Sequence, residues 1–296
     1  MKSLKVALVY KSRSGIIERD RRAMGWWSYP VPEFEWEFFP ARGLVETREY
    51  RAYDLIFHED TASAGGYMRS KAGDPPIVYL DIYSTLSEKH YQDRMKFARQ
   101  ADLVLIDHDR LERFRACGKP VRRLNYCVND HIFKPQEKTL DVVYHCSAGE
   151  SRGLPGGHKR NELRAFLGEY AKSAGISLRT GAVGLEEYAA NMGFAKVVVN
   201  WPRTALNRPH RIFDAMACRA AMLTGTIPTV DGDDLVFGKH YLDFDSTEEL
   251  VIGLKTLLDG VWESCADAGY ELVMKRHTWS ARAQELRLIL REELGL

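Results

Sequence analysis

Cysteine is scarce in this 296-residue chain, and what there is does not pair. Cys117, Cys127, Cys146, Cys218 and Cys265 lie far apart, with no CxxC among them. Such an odd, scattered set argues against a disulfide framework and against a structural zinc site. Charge of one sign is lacking too: 42 Lys and Arg face 41 Asp and Glu, a formal net of +1. No bulk basic field therefore calls for a nucleic-acid partner. No run approaches the ~18 uninterrupted apolar residues that a bilayer span needs. The opening MKSLKVALVYKSRSG has an apolar stretch shorter than a secretory signal requires and no small-residue cleavage site, which points to a cytoplasmic protein. Internal repeats, low-complexity segments and the dinucleotide GxGxxG pattern are missing as well.

What remains is a globular composition, 45% hydrophobic and 28% charged, on a chain long enough for two ordinary domains. Short apolar runs alternate with amphipathic stretches, the mark of βα units and parallel sheets. Strands are expected at 5–10, 53–58, 77–81, 103–107 and 121–126, with helices at 88–100 and 109–116. A second series follows the polar, proline-containing stretch 134–139. Its strands are expected at 140–146, 177–179, 196–200, 221–224 and 240–244. Its helices are expected at 159–174, 184–192, 209–219, 247–258 and 261–275. The expected organisation is an N-terminal domain over 1–135, a C-terminal domain over 136–279, and a closing helix over 280–296 that folds back onto the first.

Three stretches carry a resemblance. Residues 101–135 run strand, helix, strand and a turn of the form N-x-x-x-F-x-P. Residues 186–225 hold a helix, the strand AKVVVN and the helix RPHRIFDAMACRA. Residues 248–282 join an "EL" helix to His277-Thr278-Trp279-Ser280-Ala281-Arg282. In order and spacing they resemble the GT-B glycosyltransferases, nearest the spore-maturation (CgeB-like) branch. The resemblance implies an α/β fold of two Rossmann-like domains with parallel sheets facing across a cleft. It implies a sugar moved from a nucleotide-diphosphate donor, UDP-type favoured, to an acceptor hydroxyl. No cofactor and no bound metal are expected. The pattern departs from the family at Asp214, where Glu is usual, at Arg219, where Gly is usual, and at Leu206, where related retaining enzymes carry a second Glu.

A transferase of this kind must hold a leaving diphosphate, bind the nucleotide and position an acceptor hydroxyl. For the diphosphate the sequence offers Asn207, Arg208 and Arg211 around a helix expected to begin at Pro209, where free amides and guanidinium groups would meet. Asp214, a turn and a half in, is the expected partner of ribose hydroxyls. Lys159 and Arg160, after Gly156-Gly157, are further phosphate candidates, Arg160 the better of the two. Asn200 ends a strand, where open α/β sheets place ligand contacts. The catalytic base is sought at strand ends of the first half: Asp81 first, then Asp60 and His58. Strand-end carboxylates are also frequent helix caps.

The acceptor stays open among glycan, protein, small molecule and modified DNA base. Basic residues and Trp26-Trp27 within 11–27 keep a phage-type hydroxymethyl-base DNA glycosyltransferase among the possibilities. A GT-B-shaped epimerase and a non-catalytic nucleotide-sugar-binding module are the alternatives.

Overall fold

The computed structural model describes residues 2–10, 31–40, 49–59, 74–81, 88–107, 111–145, 157–202, 209–228 and 234–296. Asp60, Asn207, Arg208, Leu206 and the basic-aromatic segment 11–27 lie outside these described residues, as does Ser147-Ala148-Gly149.

Contacts divide the chain into two compact units, 1–126 with 280–296, and 127–279. The first unit holds β1 (Leu4–Tyr10), β2 (Phe34–Pro40), β3 (Leu55–Glu59), β4 (Ile77–Asp81), α1 (Glu88–Ala98), β5 (Leu103–Ile106), α2 (Leu111–Arg115) and β6 (Val121–Arg123). Its sheet has the order β2-β1-β3-β4-β5-β6, every pairing parallel. Parallel strands covered on both faces read as unbroken apolar runs. β4 and β5 fit that rule, with every residue buried. The core gathers Val9, Ile56, Tyr79, Val104, Met95 and Phe114. β2 is a strand the sequence pattern did not announce, and it lies at the sheet edge. β6 stops at Arg123, short of the expected Tyr126.

The second unit holds β7 (Leu140–His145), α3 (Gly157–Ala174), β8 (Leu178–Gly181), α4 (Leu185–Phe194), β9 (Ala195–Asn200), α5 (Arg211–Ala217), β10 (Ala221–Gly225), β11 (Tyr241–Phe244), α6 (Thr247–Thr256) and α7 (Trp262–Arg276). A closing helix, α8 (Trp279–Leu294), completes the chain, and its residues from Ser280 on belong with the first unit. Arg122 of β6 makes ion pairs to Glu292 at 2.7 Å and Glu293 at 2.8 Å near the end of α8. The second sheet runs β11-β10-β9-β7-β8, again all parallel. Its core is built from Val142, Tyr144, Val197, Val199, Leu223 and Leu250.

Cys117, Cys218 and Cys265 are buried free thiols, as a scattered set of small apolar residues would be. Among the described residues no helix is long and apolar enough to cross a membrane.

Candidate functional site

The carboxyl edge of the second sheet is polar, and strand register explains how. Asn200 at the end of β9 lies directly opposite Thr224 of β10. Their side chains meet, Asn200 Nδ2 donating to Thr224 Oγ1 at 2.9 Å, and both residues are fully buried. His145 at the end of β7 lies opposite Gly181 of β8. Its Nδ1 lies 3.0 Å from the Gly181 carbonyl and its Nε2 lies 3.2 Å from Asn191 Nδ2. Those partners fix the tautomer: Nδ1 carries the proton and Nε2 accepts from the amide. Burial holds the His145 pKa below its ordinary value, and the nearby Arg211 charge adds to that, so the ring is neutral.

Two helices bring side chains over this edge. α4 supplies Tyr188 and Asn191, and α5 supplies Arg211 and Asp214. Each pair is spaced i, i+3, so each pair shares one helix face. α4 packs against α5. Lys138 holds the far ends of both, its ammonium donating to the carbonyls of Gly193 and Cys218 at 2.8 Å each. Burial lowers the Lys138 pKa to about 8. Phe133, the aromatic residue of the N-x-x-x-F-x-P turn, meets the Tyr188 ring edge-on at 5.8 Å.

At the centre, Arg211 Nη1 donates to Asn200 Oδ1 at 2.8 Å. The Tyr188 hydroxyl donates to Asp214 Oδ2 at 3.3 Å. The Arg211 charge opposes the effect of burial at both Tyr188 and Asp214. Burial raises the Asp214 carboxyl well above the ordinary range, opposed by Arg211 and by the Tyr188 hydrogen bond. Arg211 Nε and Asp214 Oδ1 are buried and have no hydrogen-bond partner among the described residues. Buried polar atoms are rarely left so, and an orphan donor on the first residue of α5 and an orphan acceptor three residues on are groups that a ligand can complete.

The helix itself begins later than the sequence implied. α5 starts at Arg211, with His210 before it in helical φ/ψ and Pro209 outside. The amides of Ile212 and Phe213 already donate to the carbonyls of Pro209 and His210, at 3.1 and 2.9 Å. With seven residues in the helix, positive charge here rests on the Arg211 side chain rather than on a macrodipole.

The Lys159–Arg160 pair divides in two. Arg160 is buried and donates through Nε and Nη2 to the Trp201 carbonyl at 3.1 and 2.9 Å. That pins the segment leaving β9. Lys159 is exposed, with its ammonium 4.2 Å from the Trp201 ring centre. Gly225 lies under the same indole, where an added Cβ would come within 2.8 Å of the ring.

In the first unit His58 is the next-to-last residue of β3 and Asp81 the last of β4. Asp81 is fully buried and forms an ion pair with Arg94 at 3.0 Å. Its Oδ1 also accepts from the Tyr79 hydroxyl at 3.2 Å. His58 is buried, and desolvation lowers its pKa to about 4. Arg211, Asn200 and Asp214 thus come together in one place. Arg160 and Lys159 flank Trp201, while His58 and Asp81 belong to the other unit. Tyr188, His145, Asn191 and Thr224 join the constellation without having been singled out in the sequence. A signal for Tyr188 and Asn191 existed in their i, i+3 spacing on a helix beside the site.

The architecture of two parallel-sheet α/β units is that of the GT-B glycosyltransferases. Sucrose-phosphate synthase from Thermosynechococcus elongatus superposes with a TM-score of 0.63 at 13% identity, covering 99% of each chain. HepE from Anabaena, in complex with UDP, gives 0.64 at 16% identity over 98% of this chain and 100% of that one. A glycosyltransferase from Rickettsia africae gives 0.58 at 9% identity over 99% of both. Identities this low speak for the fold. Residues 158–287 match the family model described as glycosyl transferase-like. No curated protein matches the sequence.

Proposed function

We propose that the chain is a glycosyltransferase that moves a sugar from a nucleotide-diphosphate donor, UDP-type favoured, to an acceptor hydroxyl. The observation that carries this reading is Arg211. It is a cation anchored by buried Asn200 at the carboxyl edge of a parallel sheet, with an unpartnered Nε. Open α/β sheets bind ligands at that edge, and a guanidinium there suits a diphosphate. The domain match over 158–287 and the UDP-bound structure of HepE support the donor class.

In the reaction a bond forms between the acceptor oxygen and the sugar's anomeric carbon. The bond from that carbon to the diphosphate oxygen breaks, and UDP leaves with the electron pair. Arg211 stabilises the charge that builds on the diphosphate, a role that elsewhere falls to a metal ion. We accordingly propose a metal-independent enzyme. Lys159, on its exposed side of Trp201, is a further cation proposed for the diphosphate, with Arg160, Asn207 and Arg208 the other candidates by sequence. The hydroxyl proton passes to a base sought among His58, Asp60 and Asp81. Of the two described, His58 is in the neutral, proton-accepting form at pH 7, whereas Asp81 has its charge matched by Arg94. We further propose a cytoplasmic location and, on the residue patterns of 101–135, 186–225 and 248–282, a place near the spore-maturation (CgeB-like) branch. A hydroxymethyl-base DNA acceptor rests on residues 11–27 alone.

The test is UDP release from a panel of UDP-sugars, with and without glycan, protein and hydroxymethylated DNA acceptors. Acceptor-stimulated release supports the reading. No release from any donor in the panel removes it.

A further inference from the structure

Asn200 ends β9, where a ligand contact is expected, yet it is 0% exposed, and both ends of its amide are engaged within the chain. A run of hydrogen bonds with a single direction passes through it. The Thr224 hydroxyl donates its one proton to the Gly225 carbonyl at 3.0 Å. Its oxygen is left to accept, and Asn200 Nδ2 donates to it at 2.9 Å. That contact turns the amide so that Oδ1 faces Arg211, whose Nη1 donates to it at 2.8 Å. A guanidinium can only donate, and a hydroxyl whose proton is engaged can only accept. Both ends therefore demand the same orientation of the amide. Strand register sets the pair up, because Asn200 of β9 and Thr224 of β10 lie opposite each other.

The anchor is also uncharged. Among the described residues Arg211 has a neutral amide, and no carboxylate, within ion-pair distance. A carboxylate in place of Asn200 would hold the guanidinium at least as firmly, but it would offset the positive charge. An amide restrains a side chain that has many rotamers, and it leaves the charge and the unpartnered Nε to an anion. We propose that Thr224 and Asn200 are positioning residues: the threonine hydroxyl turns the amide, and the amide holds Arg211 for the donor's diphosphate without neutralising it. The inference rests on the donor reading above and gives Asn200 a task other than touching the ligand.

The experiment compares two ligands. UDP is titrated calorimetrically into the parent protein and into Thr224→Val, Thr224→Ser and Asn200→Asp. Uridine binding is followed by ligand-detected NMR, and thermal melts report folding. Thr224→Val, which keeps the shape and removes the hydroxyl, is expected to bind UDP about tenfold more weakly. Thr224→Ser, which restores the hydroxyl, is expected to recover that loss. Asn200→Asp is also expected to bind UDP about tenfold more weakly, because its carboxylate pairs with the charge that the diphosphate needs. The Thr224 hydroxyl can donate to that carboxylate, so the fold is kept, and this variant decides the question by itself if Thr224→Val does not fold. Uridine, which carries no phosphate, is expected to bind every variant as it binds the parent. Unchanged UDP affinity in Thr224→Val, or no recovery in Thr224→Ser, overturns the role of the hydroxyl. Unchanged affinity in Asn200→Asp overturns the neutral anchor, and each of these results leaves the donor reading intact. Equal losses for uridine and UDP overturn the inference too, because the effect would then not pass through the phosphate. A parent protein that does not bind UDP overturns the donor reading and takes this inference with it.

Discussion

Arg211 Nη1 lies 2.8 Å from Asn200 Oδ1, so the first residue of a helix is held by the last residue of a buried strand. Asn200 is spoken for on its other side by Thr224, which leaves its amide with little freedom to turn. Replacing Asn200 by Ala strands both partners at once. Thermal unfolding should show a loss of about 1–3 kcal/mol, the penalty for leaving buried groups unsatisfied, and UDP affinity should fall with it. A variant as stable as the parent would show that the amide holds nothing.

Arg219 has φ of 54°, the left-handed region that non-glycine residues enter at a cost of about 1 kcal/mol. The residue compensates through Asp267, 2.8 Å away on α7, and the Tyr270 ring. Both ion-pair members are about half exposed, so the pair contributes ~0–1 kcal/mol. Arg219→Gly should therefore match or exceed the parent's unfolding midpoint, while Arg219→Ala should fall below it. The reverse order in a melting experiment would contradict this account of the departure from the family's glycine.

Gly193 sits near the end of α4, where a Cβ would lie 2.9 Å from the Lys134 carbonyl oxygen and 2.9 Å from Gln136 Cγ. Ala in a helix gains about 1 kcal/mol over Gly, and overpacking costs about 1–3 kcal/mol. The backbone oxygen cannot step aside as a side chain can, so packing wins. Gly193→Ala should unfold at lower denaturant than the parent.

His58 gives a pH signature. Its pKa of about 4 in the folded chain lies below the ordinary ~6.5 of an unfolded one. Between those values the unfolded chain binds the proton and the folded chain does not, so stability is lost as pH falls from about 6.5 toward 4. The full difference amounts to about 3 kcal/mol. Denaturant unfolding at pH 7 and pH 4.5 should therefore show a smaller drop for His58→Gln than for the parent. Equal drops would mean that the imidazole is not buried in its neutral form.

Much of this architecture was legible in the chain. Alternating apolar runs and helical stretches located ten strands, because a parallel strand covered on both faces leaves a run such as IVYLD or LVLID. β2 escaped, since FEWEFFP alternates aromatics with glutamates and ends in proline, as an edge strand can. Asn200 and Arg211 stood out through their places at a strand end and a helix start. Tyr188 and His145 did not, because their importance lies in contacts across 26 and 36 residues of chain, Tyr188 to Asp214 and His145 to Gly181. Arg160 shows the opposite limit. Its charge is plain in the sequence, but its commitment to the Trp201 carbonyl arises from packing alone.

The most direct measurement is a calorimetric titration of UDP into the parent protein and into Arg211→Ala under identical conditions. Binding by the parent, weakened about 10- to 100-fold on loss of the guanidinium's charged hydrogen bonds, is the predicted result. Equal affinity in the two proteins, or no binding by the parent, would contradict a diphosphate held by Arg211.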